Sequence, residues 1–251
     1  MAIFHIIPSP FTHPKMRFCD NIFIMKRVRI FGYEADSIIP LVHSSGFEID
    51  PNDPDFIISY GGDGTLISSE SHFPGIPKIV LRNSDICKKC SHLSNEEVLL
   101  KVRDGRYLIE ESLKLEASVG EKKLVAINEI IVHNSNPRKA IRYTIHIDDK
   151  QIGNEIIGDG IVVATPSFGS TGYYRSITDS FFEVGIGLAF NNSIEQSDHM
   201  VLHNNRMIKL NLVRGPADVY ADNQESAIEL HEGEFVTIKK SEETAKIVIP
   251  R

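Results

Sequence analysis

The sequence predicts an α/β domain followed by an all-β, sandwich-like domain. Three observations carry that expectation. Short β-branched runs alternate with helix-like stretches through the first hundred residues, the pattern of a parallel sheet covered on both faces. After about residue 106 the helix-like stretches give way to short strands separated by turns, which argues a second, all-β unit. In the first unit, a glycine turn follows directly on the apolar run Phe56-Ile57-Ile58, at the strand end where such sheets bind ligands. The expected division is residues 1–105 for the α/β unit and 106–244 for the all-β unit, with a last strand at 245–251 that can return to the first.

The elements follow in order. Residues 4–7 and 28–31 are short and β-branched, hence strands. Residues 35–45 carry Ile38, Ile39, Leu41 and Val42, compatible with a short helix that Pro40 weakens. Residues 56–59 are the strand into the glycine turn, and a helix starts at 65–73. A strand at 77–81 and a short helix at 95–102 complete the first unit. Residues 124–132 are strand-like. In 140–147 the apolar Ile141, Tyr143, Ile145 and Ile147 alternate with Arg142, Thr144, His146 and Asp148, and Asp148-Asp149 reads as a hairpin turn. Ile161-Val162-Val163-Ala164 is a buried strand, and 207–213, 219–221 and 235–239 continue the alternation. The strand at 246–249 could belong to either unit. There is no internal repeat and no low-complexity linker.

Composition removes several classes. The chain has 251 residues, 41% hydrophobic and 24% charged, with a net charge of −7. An acidic balance argues against a nucleic-acid partner, which needs clustered Lys and Arg, but not against a nucleotide. No apolar run approaches the ~20 residues of a membrane span, so no membrane partner is expected. The stretch Met1-Ala2-Ile3-Phe4-His5-Ile6-Ile7 is too short for a secretory core and lacks a basic start, which leaves a cytoplasmic location as the expectation. The cysteines are Cys19, Cys87 and Cys90, an odd count that fits a reducing compartment. Cys87-Lys88-Lys89-Cys90 with His92 could begin a zinc site, but structural zinc wants four ligands and no second Cys pair exists. Neither zinc nor a redox pair is expected there, and the thiols are read as free.

The informative stretch is Tyr60-Gly61-Gly62-Asp63-Gly64-Thr65. Glycine lets a backbone adopt positive φ and approach a ligand closely. Outward turn amides make an anion site suited to phosphate. A carboxylate held in such a turn can take a proton from an attacking hydroxyl or contact Mg²⁺. Phosphoryl transfer is the chemistry implied, with Asp63 as the catalytic group and Gly61, Gly62, Gly64 and Thr65 on donor phosphates. A bare glycine turn is more often only structural; the Asp between glycines and the following Thr favour function. No Gly-Lys-Ser/Thr occurs, so this is not a Walker loop, and the protein-kinase signatures are absent.

Three blocks, in order and at about the family's spacing, resemble the NAD kinase family. They are Gly61-Gly62-Asp63-Gly64-Thr65; Asn128-Glu129 within Ala126-Ile127-Asn128-Glu129-Ile130-Ile131; and Gly158-Asp159-Gly160 running through Thr165-Pro166 to Gly169-Ser170-Thr171-Gly172-Tyr173. Val219-Tyr220-Ala221-Asp222 is a weaker fourth. The resemblance implies phosphorylation of the adenosine ribose 2′-hydroxyl of NAD to NADP, a transfer to an alcohol acceptor. ATP or polyphosphate would be the donor and Mg²⁺ or another divalent cation the helper, with Asp63 a possible metal contact. It implies an NAD-binding set of Asn128, Glu129, Asp159, Thr165, Ser167, Ser170, Thr171, Tyr173 and Asp222, an α/β plus β-sandwich fold, and a homodimer or homotetramer. The chain departs from the family at an inserted Phe168, at Gly172 in place of Ala, at Asn223 in place of Gly after Asp222, and at Arg82-Asn83-Ser84-Asp85-Ile86-Cys87 in place of Leu-Gly-Phe-Leu. The family's Gly-Gly pair after the Tyr is also missing. Two alternatives stay open: a related kinase for another nucleoside, sugar or lipid (the lipid disfavoured, since no amphipathic or basic membrane-facing stretch is present), and a catalytically silent dinucleotide sensor.

Overall fold

The computed structural model describes residues 25–251 except Ile86, Gln196 and Ser197. The strand expected at 4–7, the N-terminal stretch weighed for export, and Cys19 lie outside the described residues. The first part is a parallel sheet. Strands β1 (Arg27–Phe31), β2 (Glu48–Ile49), β3 (Phe56–Gly61) and β4 (Lys78–Arg82) lie in the order β2-β1-β3-β4, all parallel. Helix α1 (Ile39–Ser44) joins β1 to β2, α2 (Asp63–His72) joins β3 to β4, and α3 (Asn95–Arg103) follows β4. In β3 the first four residues are all buried, as a strand covered on both faces requires.

Pro40 sits in the first turn of α1, where its missing N–H costs nothing. The helix expected over 35–45 is therefore a 3₁₀ turn, Ala35–Ile38, followed by six α-helical residues. Helix α3 begins in a capping box: Ser94 Oγ accepts from the Glu97 N–H while the Glu97 carboxylate accepts from the Ser94 N–H. It turns Val98, Leu99 and Val102 onto β3 and β4, where they join Val28, Val42, Phe47, Ile58, Ile79 and Leu81 in one core.

The second part is a sandwich. In chain order its strands are β5 (Tyr107–Val119), β6 (Lys122–Ala126), β7 (Glu129–Asn134), β8 (Ile141–Ile147), β9 (Lys150–Gly158), β10 (Gly160–Ala164), β11 (Ile186–Asn191), β12 (Met200–Leu202), β13 (Ile208–Arg214), β14 (Ala217–Ala221), β15 (Ile228–Leu230) and β16 (Phe235–Pro250), with a short helix α4 (Tyr173–Thr178). An antiparallel sheet β12-β11-β10-β7-β14-β15 packs over β5, β6, β16, β13, β8 and β9. The alternation in 140–147 buries Ile141, Tyr143 and Ile145, which meet Ile130, Val132, Ile161 and Val163 of the facing sheet.

Several strands differ from expectation, and β2, β11, β12 and β15 had no counterpart in it. The segments expected as separate strands at 235–239 and 246–249 are one strand of 16 residues, β16, with an irregularity between Lys240 and Thr244. Its start pairs antiparallel with β13 and its end parallel with β4, so a single ten-stranded sheet runs through both parts. The polar run Ser241-Glu242-Glu243 hides that continuity from a hydropathy reading. Strand β5, which pairs with β16 along almost its whole length, was not foreseen because Glu110, Glu111 and Glu116 interrupt its apolar pattern. The stretch 124–132 breaks at Ile127-Asn128 into β6 and β7, for a reason that belongs to the site.

Helix α2 is anchored by charge. Glu70, two turns after Asp63 and 2% exposed, accepts from Lys78 of β4 and from Lys114 of β5 at 2.9 Å. Lys78, fully buried, also donates to the Phe73 and Ile76 carbonyls at 2.5 and 2.8 Å. Lys114 reaches on to Glu243 of β16 at 3.0 Å. Burial lowers the Lys78 ammonium from its ordinary range against the pull of Glu70, whereas the two carboxylates more than offset burial at Lys114 and raise it. Among the described residues no helix is long and apolar enough to cross a membrane.

Candidate functional site

The glycine turn is a strand–turn–helix joint. β3 ends at Gly61, Gly62 is the N-cap of α2, and Asp63 is its first residue. A Cβ on Gly61 would lie 2.1 Å from Thr65 Oγ1, and one on Gly32, at the end of β1, 2.1 Å from the Tyr60 carbonyl oxygen. Only glycine permits these approaches. Gly64 has open space around it. It lines a cleft of about 570 Å³ with Phe31, Gly32, Tyr33, Thr65, Ser68 and Asn223. The first-turn amides of α2 lack partners within the helix and carry its positive dipole end, so this cleft suits an anion.

Asp63 is held from the opposite side. Its carboxylate accepts from the backbone N–H of Lys88 at 3.0 Å and of Lys89 at 2.9 Å, and Cys87 Sγ lies 3.5 Å from Oδ1. Cys87 and Cys90 are joined in a disulfide. This corrects the expectation of free thiols: the loop brings their Cα atoms to 5.4 Å, inside the range a bridge needs. Among the described residues no three His, Cys, Asp or Glu side chains cluster to hold a metal ion. Lys89 places its ammonium 4.6 Å from the centre of the Phe168 ring. Phe168, the inserted residue, is 8% exposed and packs with Leu66, Cys90 and Ile127. The extra residue is thus absorbed into the core between α2 and the sandwich and does not protrude into a pocket.

The Asn128-Glu129 pair sits where β6 breaks from β7. The Asp222 carboxylate accepts from the N–H groups of Ile127 and Asn128 at 2.8 Å and of Glu129 at 3.0 Å. Donors committed to a side chain cannot serve a ladder, so the strand must break there. Thr165 Oγ1 donates to the Ile127 carbonyl at 2.7 Å, and a Cβ on Gly169 would lie 2.2 Å from the Asn128 carbonyl. A Cβ on Gly172 would lie 3.3 Å from Glu129 Oε2 and 3.7 Å from Asn128 Oδ1, so the loop backbone closes over both side chains. Next to Asp222, Asn223 Nδ2 donates to Ser68 Oγ of α2 at 2.9 Å, which ties this turn to the glycine-turn helix.

Glu129 is 8% exposed, and its Oε2 has no hydrogen-bond partner. Burial, then the neighbouring Asp222 charge, pushes its carboxyl up to about 7 against the Tyr173 N–H, which favours the anion. Burial pushes Asp222 up to about 6 against its three N–H donors. Of the two, Glu129 is therefore the one that keeps a proton to the higher pH, and Asp222 the one that ionises first.

The predicted NAD-binding set divides. Asn128, Glu129, Tyr173 and the loop bearing Ser167 and Thr171 come together; Ser167 is half-buried and Thr171 exposed. Thr165 and Ser170 do not line a pocket: they are 0% and 2% exposed, and their hydroxyls donate to the Ile127 and Pro166 carbonyls. Asp222 is a positioning residue, since its carboxylate is spent on backbone. Asp159 lies at the other end of β10 from Thr165, about 20 Å away at strand rise, and accepts from Asn134 and Asn192. Sequence reasoning missed the hold of the Lys88 and Lys89 N–H groups on Asp63, the link from Asn223 to α2 and the enclosing role of Gly172.

Comparisons with known proteins bear on the family and the fold. Residues 127–249 match the ATP-NAD kinase C-terminal domain. The chain is 32% identical over 135 residues to an NAD kinase of Saccharolobus islandicus, covering 54% of this chain and 53% of that protein. It is 27% identical over 220 residues to an NAD kinase of Methanothermobacter thermautotrophicus, covering 84% and 77%. The match thus spans about half the length of the Saccharolobus relatives. In structure it resembles yeast NADH kinase complexed with NADH (TM-score 0.76, 17% identity, 90% of this chain and 84% of that one). It also resembles an NAD kinase from Archaeoglobus fulgidus in complex with ATP (TM-score 0.73, 23% identity, 88% and 92%). Both likenesses bear on the fold.

Proposed function

Because this chain belongs to the NAD kinase family, we propose that it phosphorylates the adenosine ribose 2′-hydroxyl of NAD, with ATP or polyphosphate as donor. The observation that carries the reading is the pairing of two sites through Asp222-Asn223: a glycine-turn helix presenting Asp63, and an Asn128-Glu129 corner whose Glu129 Oε2 is buried without a partner. A buried polar atom left unpaired is costly, and a ribose or adenine group would satisfy it. The amides and dipole of α2 would hold donor phosphate at the cleft beside Gly64. Asp63 would take the proton of the attacking hydroxyl, a poor nucleophile without a positioned base. Mg²⁺ would be held mainly by donor phosphates, as that ion usually is. When bound, that ion would neutralise phosphate charge; the chain itself would contribute at most Asp63. The packing of Phe168 into the core supports this acceptor over a different one.

The test is NADP formation from NAD with ATP and Mg²⁺, then with polyphosphate, using the purified chain. Product is expected with at least one donor. Tight binding of NAD without turnover under either donor would favour the silent sensor, and turnover of another nucleoside or sugar alone would favour the related kinase.

The Glu129 proton gives a second expected result. Below about pH 7 its Oε2 donates to a ligand oxygen; above, it is an anion with no donor. Affinity for NAD is expected to fall as pH rises through 7, and Glu129→Gln, whose amide donates at any pH, is expected to flatten the profile. Stability moves the same way. A carboxyl raised from 4.5 to about 7 on folding contributes fully below pH 4.5 and loses that contribution as pH rises through 7. Calorimetric binding and melting between pH 5 and 9 check both, and an unchanged slope in Glu129→Gln would assign the titration elsewhere.

A further inference from the structure

We propose that Cys87 and Cys90 form a thiol–disulfide exchange site, and that its oxidised state clamps Asp63 beneath the loop. The bridge closes a ring of four residues, and every loop group facing Asp63 comes from within it. The N–H of Lys88 takes one carboxylate oxygen, the N–H of Lys89 takes the other, and Cys87 Sγ stands against Oδ1. The ring is fixed at two further points. Cys90 is 8% exposed among Leu66, Ile127 and Phe168, and the Lys89 ammonium lies on the Phe168 ring. Two of the carboxylate's acceptor positions are so engaged, which leaves fewer for an incoming hydroxyl or cation, and the bridge keeps the two donors in place by restricting the loop backbone.

The chemistry balances with a dithiol as co-reactant. Cys87 is the more exposed of the two residues, so a dithiol thiolate attacks Cys87 Sγ and the Cys87–Cys90 bond breaks. Cys90 leaves and takes a proton. The second thiolate of the reductant then attacks its own sulfur in the mixed disulfide and releases Cys87, which is protonated in turn. Two electrons and two protons reach the cysteines, and the dithiol becomes a disulfide. The freed Cys87 thiol, already beside Asp63, becomes a weak donor that can give way, in place of a fixed ring.

The exchange and the clamp stand on the geometry alone; their effect on turnover rests on the kinase reading. The test treats the purified chain with reduced or oxidised dithiothreitol and measures three things: intact mass after alkylation, amide hydrogen exchange at Lys88 and Lys89, and NADP formation. Cys87→Ser/Cys90→Ser serves as the form that cannot close. Oxidised protein is expected to resist alkylation at both cysteines and to exchange the two amides more slowly. Its NADP formation is expected to be roughly tenfold lower, about the worth of one hydrogen bond to a charged group. The double variant is expected to match the reduced protein under both treatments. Failure to form the bridge under oxidant, equal amide exchange in the two states, or a double variant that still responds to oxidant would each overturn the proposal. Redox-dependent amide exchange in a chain that makes no NADP in either state would keep the clamp and reject the kinase reading.

Discussion

Asp63→Asn is expected to lower the rate of NADP formation by about 10²–10⁴-fold, the range lost when a positioned acid–base group is removed, with the fold intact. Asn has the shape of Asp, and its Oδ1 can still accept from one of the two loop N–H groups, Lys88 or Lys89. Its amide nitrogen then faces the other donor, so one hydrogen bond is lost at a half-exposed site. That costs roughly 1–2 kcal/mol and lowers the melting temperature by a few degrees. The glycine turn, the α2 amides and the Asn128-Glu129 corner are untouched. The loss is therefore expected in kcat, with KM for NAD nearly unchanged, because a base acts in the transition state more than in binding. Steady-state kinetics beside a melting curve decide the matter. A variant that keeps its rate would remove Asp63 from the chemistry, and one that loses its rate only because it is unfolded would leave the role open to the neighbouring cleft residues.

What was legible in the sequence was local. A buried apolar run, two glycines and a carboxylate specify a strand–turn–helix joint within a few residues, and the structure has that joint, with the helix starting at Asp63, two residues before the expected Thr65. The change to an all-β second part was equally legible, because alternation is a short-range signal. Long-range contacts were not. Asp222 reads as a turn residue, yet it caps three N–H groups 93 to 95 positions away. Thr165 and Ser170 read as pocket hydroxyls, yet both bond to nearby carbonyls, a use that sequence cannot separate from ligand contact. Phe168 reads as a disruptive insertion, and only its packing against Leu66 and Ile127 shows where the extra residue goes. The Cys87–Cys90 bridge failed a rule about compartment that says nothing of loop geometry.

Glu70 is the residue whose importance the sequence hides most. It sits in Ser68-Ser69-Glu70-Ser71-His72, a run with no apolar face, and would be read as solvated. In the structure it is the acid between two buried cations, Lys78 and Lys114. Glu70→Ala is expected to destabilise the chain by about 3–5 kcal/mol, the cost of leaving buried charge without its partner. Lys78 would keep only two carbonyls, and Lys114 only the largely exposed Glu243. Glu70→Gln keeps the shape and loses the charge, so it is expected to fall nearly as far. A joint change of Glu70, Lys78 and Lys114 to Leu or Met of matching volume is expected to recover much of the loss, since well-packed apolar groups often equal a buried ion cluster. Denaturant unfolding of the three variants separates the unpaired charge from lost packing: a triple variant no better than Glu70→Ala would make packing the cause. Because the same helix carries Asp63 seven positions earlier, Glu70→Ala is also expected to reduce kcat under conditions where it remains folded, although Glu70 lies on the buried side of α2 and touches no proposed substrate. Loosening the helix would displace the carboxylate, and a displacement of 1 Å at a reacting group can cost ~10²-fold.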